Sequence, residues 1–156
     1  MNKLVAYFSA SGSTARLAKT LAAAADAALW EIRPETPYER RDLNWMDKKS
    51  RSTLEMQDPA CRPALHDTDA PVADADTILL GFPIWWYREP SIIDSFLEAY
   101  DFSCKTILPF CTSGGSQLGE GQGRIAALAK GAKVLPGKRL GARASEGELR
   151  ALAEDL

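Results

Sequence analysis

Four hydroxyl side chains and a glycine fall within six residues near the amino terminus, Ser9-Ala10-Ser11-Gly12-Ser13-Thr14. They stand between an apolar run, Leu4-Val5-Ala6-Tyr7-Phe8, and a stretch with helical spacing. Hydroxyls beside the unpaired N–H groups of a helix start suit a phosphate dianion, and no lysine is needed. A plain N-cap at Ser13 or Thr14 would use one hydroxyl and leave the other three without a task. The expectation is therefore a phosphate cradle. It has neither the G-x-x-x-x-G-K-[ST] spacing nor the G-x-G-x-x-G spacing of two other phosphate-binding loops. Phe8-Ser9 also leaves no aspartate at the strand end for phospho-acceptor chemistry.

Two further segments have compositions that ask for a ligand. Gly81-Phe82-Pro83-Ile84-Trp85-Trp86-Tyr87-Arg88-Glu89-Pro90 carries three consecutive aromatic side chains in a connection. Large rings left in water are costly, so a flat apolar partner is expected to stack there. The other reading packs the rings against residues 33–75 or a second subunit. Thr112 to Gly123 contains five glycines, which let a backbone come close to a ligand and present N–H groups to it. Three nucleophile or nucleotide motifs fail in this region. Cys111 lacks the arginine of a cysteine-phosphatase loop, since Gln117 stands there. Gly114-Gly115-Ser116-Gln117-Leu118 lacks the last glycine of a nucleophile elbow. Gly119-Glu120-Gly121-Gln122-Gly123 has the wrong spacing for a dinucleotide turn.

The elements that must hold these segments alternate. Strands are expected over 4–8, 28–32, 77–82 and 106–111, with at best a short fifth in 132–140. Helices are expected over 14–26, after Pro90 with Ile92, Ile93, Phe96, Leu97 and Tyr100 inward, and over 122–131. A last helix follows Ser145, which forms a capping box with Glu148 and places Leu149, Leu152, Ala153 and Leu156 on one face. Pro109 within the fourth strand is a mild contradiction, because proline removes a ladder donor. The alternation implies an α/β fold, a parallel sheet covered by helices on both faces. In such sheets ligands sit beyond the carboxyl ends of the strands, where all three segments fall. Residues 33–75 break the pattern with 16 charged residues among 43. They are expected to form an irregular insert with a helix near 42–57, a solvated cover over one sheet edge, with a lid or partner surface as the alternative.

Composition sets outer bounds. The 156 residues are one domain's worth, 46% hydrophobic and 26% charged. No apolar stretch approaches a membrane span, and the first apolar run is too short for a signal-peptide core, so a cytoplasmic protein is expected. A net charge of −2 gives no footprint for nucleic acid or anionic lipid. Three cysteines without a C-x-x-C pair read as free thiols, Cys104 and Cys111 as small buried hydrophobes and Cys61 as a loop thiol. The single histidine, His66, is expected in solvent. The basic cluster Arg40-Arg41 with Lys48-Lys49-Ser50-Arg51 reads as a solvated face, with docking of an acidic protein or of nicotinamide-cofactor phosphates as the alternative.

A phosphate cradle, stacking rings and an amide-rich loop at one end of one sheet match flavin mononucleotide (FMN) better than other common cofactors. With Tyr7 to Thr14, Gly81 to Trp86 and Phe110 to Ser116 in this order, the sequence resembles the flavodoxin-like family. Asp42-Leu43-Asn44-Trp45 and Ser50-Arg51-Ser52 resemble a bacterial subgroup with a long second crossover. The resemblance covers nearly the whole chain. It implies one flavodoxin-like domain over 1–156, a three-layer sandwich whose five-stranded parallel sheet has the order 2-1-3-4-5. It also implies that Ser9, Ser11, Gly12, Ser13 and Thr14 hold the phosphate. Pro83, Ile84 and Trp85 would line the ring, with Trp85 stacking and Trp86 as second candidate. Thr112, Ser113, Gly114 and Gly115 would face the pyrimidine edge, with Gly119 also close.

The expected function is a redox protein carrying electrons through non-covalent FMN, with no side chain needed as acid or base. The alternative is an NAD(P)H-dependent oxidoreductase reducing quinones or similar small acceptors. Two departures from the family bear on this choice. Flavodoxin carriers are usually strongly acidic and often place a tyrosine over the flavin from the third loop, and this sequence does neither. One flavin face is then open, which favours a small acceptor over a docked protein. A less acidic rim should also raise the potential of the bound flavin. The partners expected are a reductase, an acceptor protein or a small acceptor, and exposed Trp86 and Tyr87 would suit a homodimer.

Overall fold

The three central apolar runs become strands because each is short, rich in β-branched or large apolar residues, and buried on both faces, while the run at 28–31 forms a largely exposed edge. The computed structural model describes residues 2–113, 117–141 and 143–154. Its elements are β1 (Lys3–Tyr7), α1 (Ser13–Ala25), β2 (Ala28–Glu31), a 3₁₀ turn (Arg40–Leu43), α2 (Arg51–Gln57), β3 (Thr77–Pro83), α3 (Ser91–Ala99), β4 (Thr106–Thr112), α4 (Gly121–Leu128), β5 (Lys133–Val134), β6 (Lys138–Leu140) and α5 (Glu146–Glu154). The strands pair in the order β2-β1-β3-β4-β5, all parallel, and β6 also pairs with β4. This is the α/β fold and the strand order that the sequence implies.

The two-residue period of the strands divides the core. Leu4, Ala6, Phe8, Ile78, Leu80, Phe82, Ile107 and Cys111 face α3 and α4 through Ile92, Ile93, Phe96, Leu97 and Ile125. Val5, Tyr7, Leu79, Leu108 and Phe110 face α1 and α5 through Leu17, Ala18, Leu21, Leu149 and Leu152. Each fully buried Leu contributes about 1.5–3 kcal/mol relative to exposure. At the centre of the sheet Gly81 sits beside Phe110, whose ring occupies the space a Cβ on Gly81 would need.

Pro109 is accommodated by a break in its outer neighbour. Thr106 N–H bonds Asp76 O on the β3 side, so the alternation of a parallel strand turns residue 109 the other way. On that side β5 pairs only with Thr106–Ile107 and β6 only with Phe110–Thr112. The missing donor of Pro109 faces the gap between them. The short fifth strand expected in 132–140 is thus two strands, interrupted opposite the proline.

Three sequence expectations need correction. The helix near 42–57 is a 3₁₀ turn followed by the seven-residue α2. Between them Asn44 Oδ1 accepts from Met46 N–H (3.1 Å) and Asp47 Oδ1 from Lys49 N–H (2.9 Å), local bonds that compete with a helix. Cys104 is exposed rather than buried, in a left-handed turn with φ 63°. The helix expected to reach 131 ends at Leu128. Ser145 Oγ accepts from Glu148 N–H (3.1 Å) at the start of α5, as its capping role requires. Leu156 lies outside the described residues. Among the described residues no helix is long and apolar enough to cross a membrane.

Candidate functional site

The carboxyl ends of β1, β3 and β4 are held level by Phe8 N–H to Gly81 O (3.0 Å) and Ile84 N–H to Thr112 O (3.3 Å). The three connections leaving them therefore open on one end of the sheet. In the first, Gly12 adopts φ 97°, a left-handed conformation that favours glycine, and a Cβ there would meet open space. No side chain caps α1, so a plain N-cap does not account for the hydroxyls. Ser9 Oγ accepts from Gly12 N–H (3.1 Å) and shapes the turn. Thr14 is buried, and its Oγ1 lies 2.8 Å from Thr112 Oγ1, joining the first connection to the third across 98 residues. The Ser11 and Ser13 hydroxyls make no hydrogen bond within the described residues.

Ser11 and Ser13 face a cleft of about 500 Å³ with Pro83, Thr112, Ser113, Arg139 and Arg143. Among the described residues no acidic one lines it. The two arginines were missed in the sequence because their position depends on β6. Its pairing sets Cys111 beside Arg139, and Arg139 Nη2 donates to Ser113 O (3.0 Å). The only sequence signal was a basic pair of positions, Arg139 within the last short strand and Arg143 just beyond it.

The second connection makes a hairpin. Trp85 N–H bonds Arg88 O (3.1 Å) and Arg88 N–H bonds Trp85 O (3.2 Å), while Trp86 and Tyr87 have φ 47° and 65°. Positive φ at both central positions is the type I′ pattern, which ordinarily selects Asn-Gly. Two aromatic residues held there are strained, and Tyr87 remains 71% exposed. Trp85 is half-buried, edge-on to Phe8 (5.6 Å) and Tyr38 (5.5 Å). Trp85, Trp86, Tyr87 and Ile84 line a second cleft of about 430 Å³ with Leu43 and Trp45 of the insert. Residues 33–75 are therefore more than a solvated cover. Arg51 stacks 3.9 Å from the Tyr38 ring centroid, and the Tyr38 hydroxyl donates to Glu55. Burial and Glu55 push the Tyr38 phenol well above its ordinary value.

Replacing Trp86-Tyr87 by Asn-Gly is expected to raise stability by about 1–2 kcal/mol, because the turn strain is relieved. The same change is expected to remove two walls of the aromatic cleft. Urea midpoints of the two proteins check the first effect.

In the third connection Gly119 has φ 56°, and a Cβ there would lie 2.5 Å from Tyr87 O. Glu120 N–H donates to the same carbonyl (3.2 Å). Gly119 thus fits against the hairpin, and this accounts for its glycine. Gly114 and Gly115 lie outside the described residues. Cys111 is buried, and burial pushes its thiol up to about 11, so it is not a thiolate nucleophile. His66 is half-exposed and bonds Asp67 Oδ1 (2.9 Å). Among the described residues no group of three His, Cys, Asp or Glu could hold a metal. A further cleft of about 410 Å³, lined by Tyr100, Phe102 and Lys130, lies at the opposite end of the strands.

The family model for flavodoxin matches residues 2–156. The chain belongs to the flavodoxin family. Two solved structures assigned as flavoproteins, from Bacteroides uniformis and Bacteroides eggerthii, are 42% and 40% identical to it. The matches cover 98% and 99% of this chain and 97% and 96% of theirs, with TM-scores of 0.92 and 0.91. A flavoprotein from Lactobacillus acidophilus, solved in complex with FMN, shares the fold at 22% identity and a TM-score of 0.69, over 88% of this chain and 92% of its own. A search of curated proteins gave no significant match. As a flavodoxin this chain has the hydroxyl loop, the aromatic hairpin and the third connection at the expected strand ends.

Proposed function

We propose that this flavodoxin is a redox protein that binds FMN non-covalently across the two clefts. The observation that carries this reading is their continuity. Consecutive residues Pro83 and Ile84 line the polar and the aromatic cleft respectively. The polar cleft offers Ser11, Ser13, Arg139 and Arg143 and, among the described residues, no carboxylate, a donor set suited to a phosphate dianion. The uncapped amino end of α1 adds N–H groups to the same place. Ile84, Trp85, Trp86 and Tyr87 supply apolar walls for a flat ring. The FMN seen in the Lactobacillus acidophilus neighbour supports the same reading.

The bound flavin would supply the electron-transfer chemistry, while the chain anchors the phosphate, orients the ring and shields it from water. Carriage of electrons between a reductase and an acceptor protein is the principal role. The open aromatic cleft, with Trp45 71% exposed at its wall, favours a second reading, NAD(P)H-dependent reduction of a quinone or similar acceptor.

Protein mixed with FMN and then desalted is expected to keep a flavin absorption spectrum at one equivalent. Ser11→Ala with Ser13→Ala should lower that occupancy, since these hydroxyls have no structural partner to lose. A protein that ignores added FMN would overturn the reading. NADPH oxidation in the presence of a quinone, with and without an added reductase, separates the two roles. Turnover without the reductase selects the enzyme.

A further inference from the structure

Behind the Trp85–Arg88 hairpin lies a charged cluster that flavin binding does not use. Glu89 and Asp94 are fully buried, and Arg88 is buried beside them. Arg124, on α4, reaches Glu89 Oε1 (2.7 Å) and Asp94 Oδ2 (2.5 Å). Arg88 Nη1 stands 3.7 Å from Glu89 Oε1 and 3.6 Å from Asp94 Oδ2, and Arg62 of the insert lies 3.7 Å from Asp94 Oδ2. Every one of these contacts uses the same oxygen of each acid. The other two, Glu89 Oε2 and Asp94 Oδ1, are buried and receive no donor.

Buried polar atoms without a partner are rare and costly. Two ionised carboxylates cannot bond each other, since neither has a hydrogen to donate. These two acids nevertheless lie side by side, since one guanidinium, that of Arg124, bonds an oxygen of each. A single proton held by the pair supplies the missing donor, as in other close carboxyl pairs.

The cluster also touches the hairpin and α2, two of the elements that shape the aromatic cleft. Arg88 closes the hairpin and donates to Met56 O (3.3 Å) in the last turn of α2 and to Ser91 Oγ (3.3 Å) on α3. Gly121, the first residue of α4, packs so close to Glu89 that a Cβ would lie 2.9 Å from Oε2. Glu120 N–H holds Tyr87 O. We infer that Glu89 and Asp94 share one proton and serve as positioning residues for the Trp86–Tyr87 hairpin, so that losing this proton loosens the wall of the aromatic cleft. Deprotonation would put a second negative charge against Asp94 where water cannot screen it. The groups facing the pair are Arg88 from the hairpin, Arg124 from α4 and Arg62 from the insert. Arg88 and Arg124 already share their donors between both acids, and Arg62 reaches only Asp94. The effect on a ligand rests on the FMN reading; the shared proton does not.

The sign of the pH effect follows from Glu89. Burial, then the bond and charge of Asp94, push its carboxyl up to about 8. A carboxyl raised in the native state binds more protons there than in the unfolded chain. Stability therefore falls as pH rises from the ordinary carboxylate range through the raised value. Glu89→Gln keeps the neutral shape and removes the proton to be lost.

Two measurements on the full chain test this. The first is thermal unfolding of the flavin-free protein across mildly acidic to mildly alkaline pH. The native Tm should fall with pH, and the Glu89→Gln profile should be flatter and lie above it at the alkaline end. The second is FMN titration by fluorescence at both ends of that range. Native affinity should drop at least fivefold on the alkaline side, and Glu89→Gln affinity less than twofold. A Tm slope unchanged by Glu89→Gln would overturn the shared proton. A Glu89-dependent slope with pH-independent FMN affinity would overturn the positioning role. Flattened unfolding with no FMN binding at any pH would instead overturn the FMN reading and leave the proton in place. If Glu89→Gln does not fold, Asp94→Asn and the infrared carbonyl band of a protonated carboxyl in the native protein decide the same question.

Discussion

Changing Arg139 and Arg143 together to glutamine is expected to weaken FMN binding about 10- to 100-fold at low ionic strength, less than two buried charge-assisted hydrogen bonds would contribute because water screens both side chains. Riboflavin, which lacks the phosphate, should bind the native and altered proteins alike. Both side chains are exposed, so salt should narrow the difference in FMN affinity between the two proteins. Arg139 also holds Ser113 O, which gives the double change a second, mechanical effect. Arg143→Gln alone separates the two, because no hydrogen bond of Arg143 to the third connection is described. Fluorescence titrations of both flavins at low and high salt check the expectation. Equal losses for FMN and riboflavin would show that the arginines act on the fold rather than on the phosphate.

The second large effect concerns the middle of the sheet. Gly81→Ala would place a methyl 2.2 Å from Phe110 Cζ and 2.5 Å from Cε2. Phe110 is fully buried and packs on the face shared with α1 and α5, so its ring has nowhere to retreat. Overpacking of this kind costs about 1–3 kcal/mol and occasionally more, and the rigid strand backbone on both sides puts Gly81→Ala at the upper end. That is a large share of a typical total of about 5–15 kcal/mol. Phe110→Leu alone should also destabilise, by leaving a cavity. The combination should cost at least about 1 kcal/mol less than the sum, because the smaller side chain makes room for the new methyl. Urea midpoints of the four proteins measure the coupling. Strict additivity would refute the steric account.

The parts of this molecule visible in its sequence are those governed by neighbours in the chain. Leu4 to Phe8 and Thr77 to Phe82 read as strands because a buried parallel strand needs only a short apolar run. The hydroxyl loop read as a ligand site because its four side chains lie within one turn of chain. The hydrogen bond between Thr14 and Thr112 was not legible, since nothing local in either segment signals a partner 98 residues away. Arg139 and Arg143 were hidden for a related reason. They reach the polar cleft only because β6 bypasses β5 and pairs with β4. The expected long helix in the insert failed on Asn44 and Asp47, whose side chains bond their own backbone two residues on. Glu89 and Asp94 showed as ordinary charges in a loop and a helix. Only packing brings them together out of water.

The break opposite Pro109 has a consequence for how copies of this chain behave when crowded. An exposed strand edge is a template on which another chain can pair and start an aggregate. On the β5 side, that edge is cut into strands of two and three residues. Neither piece is long enough to seed a ladder, and the proline at the junction offers no amide hydrogen. The residue that looked out of place in a central strand thus helps keep the sheet from growing beyond its own chain.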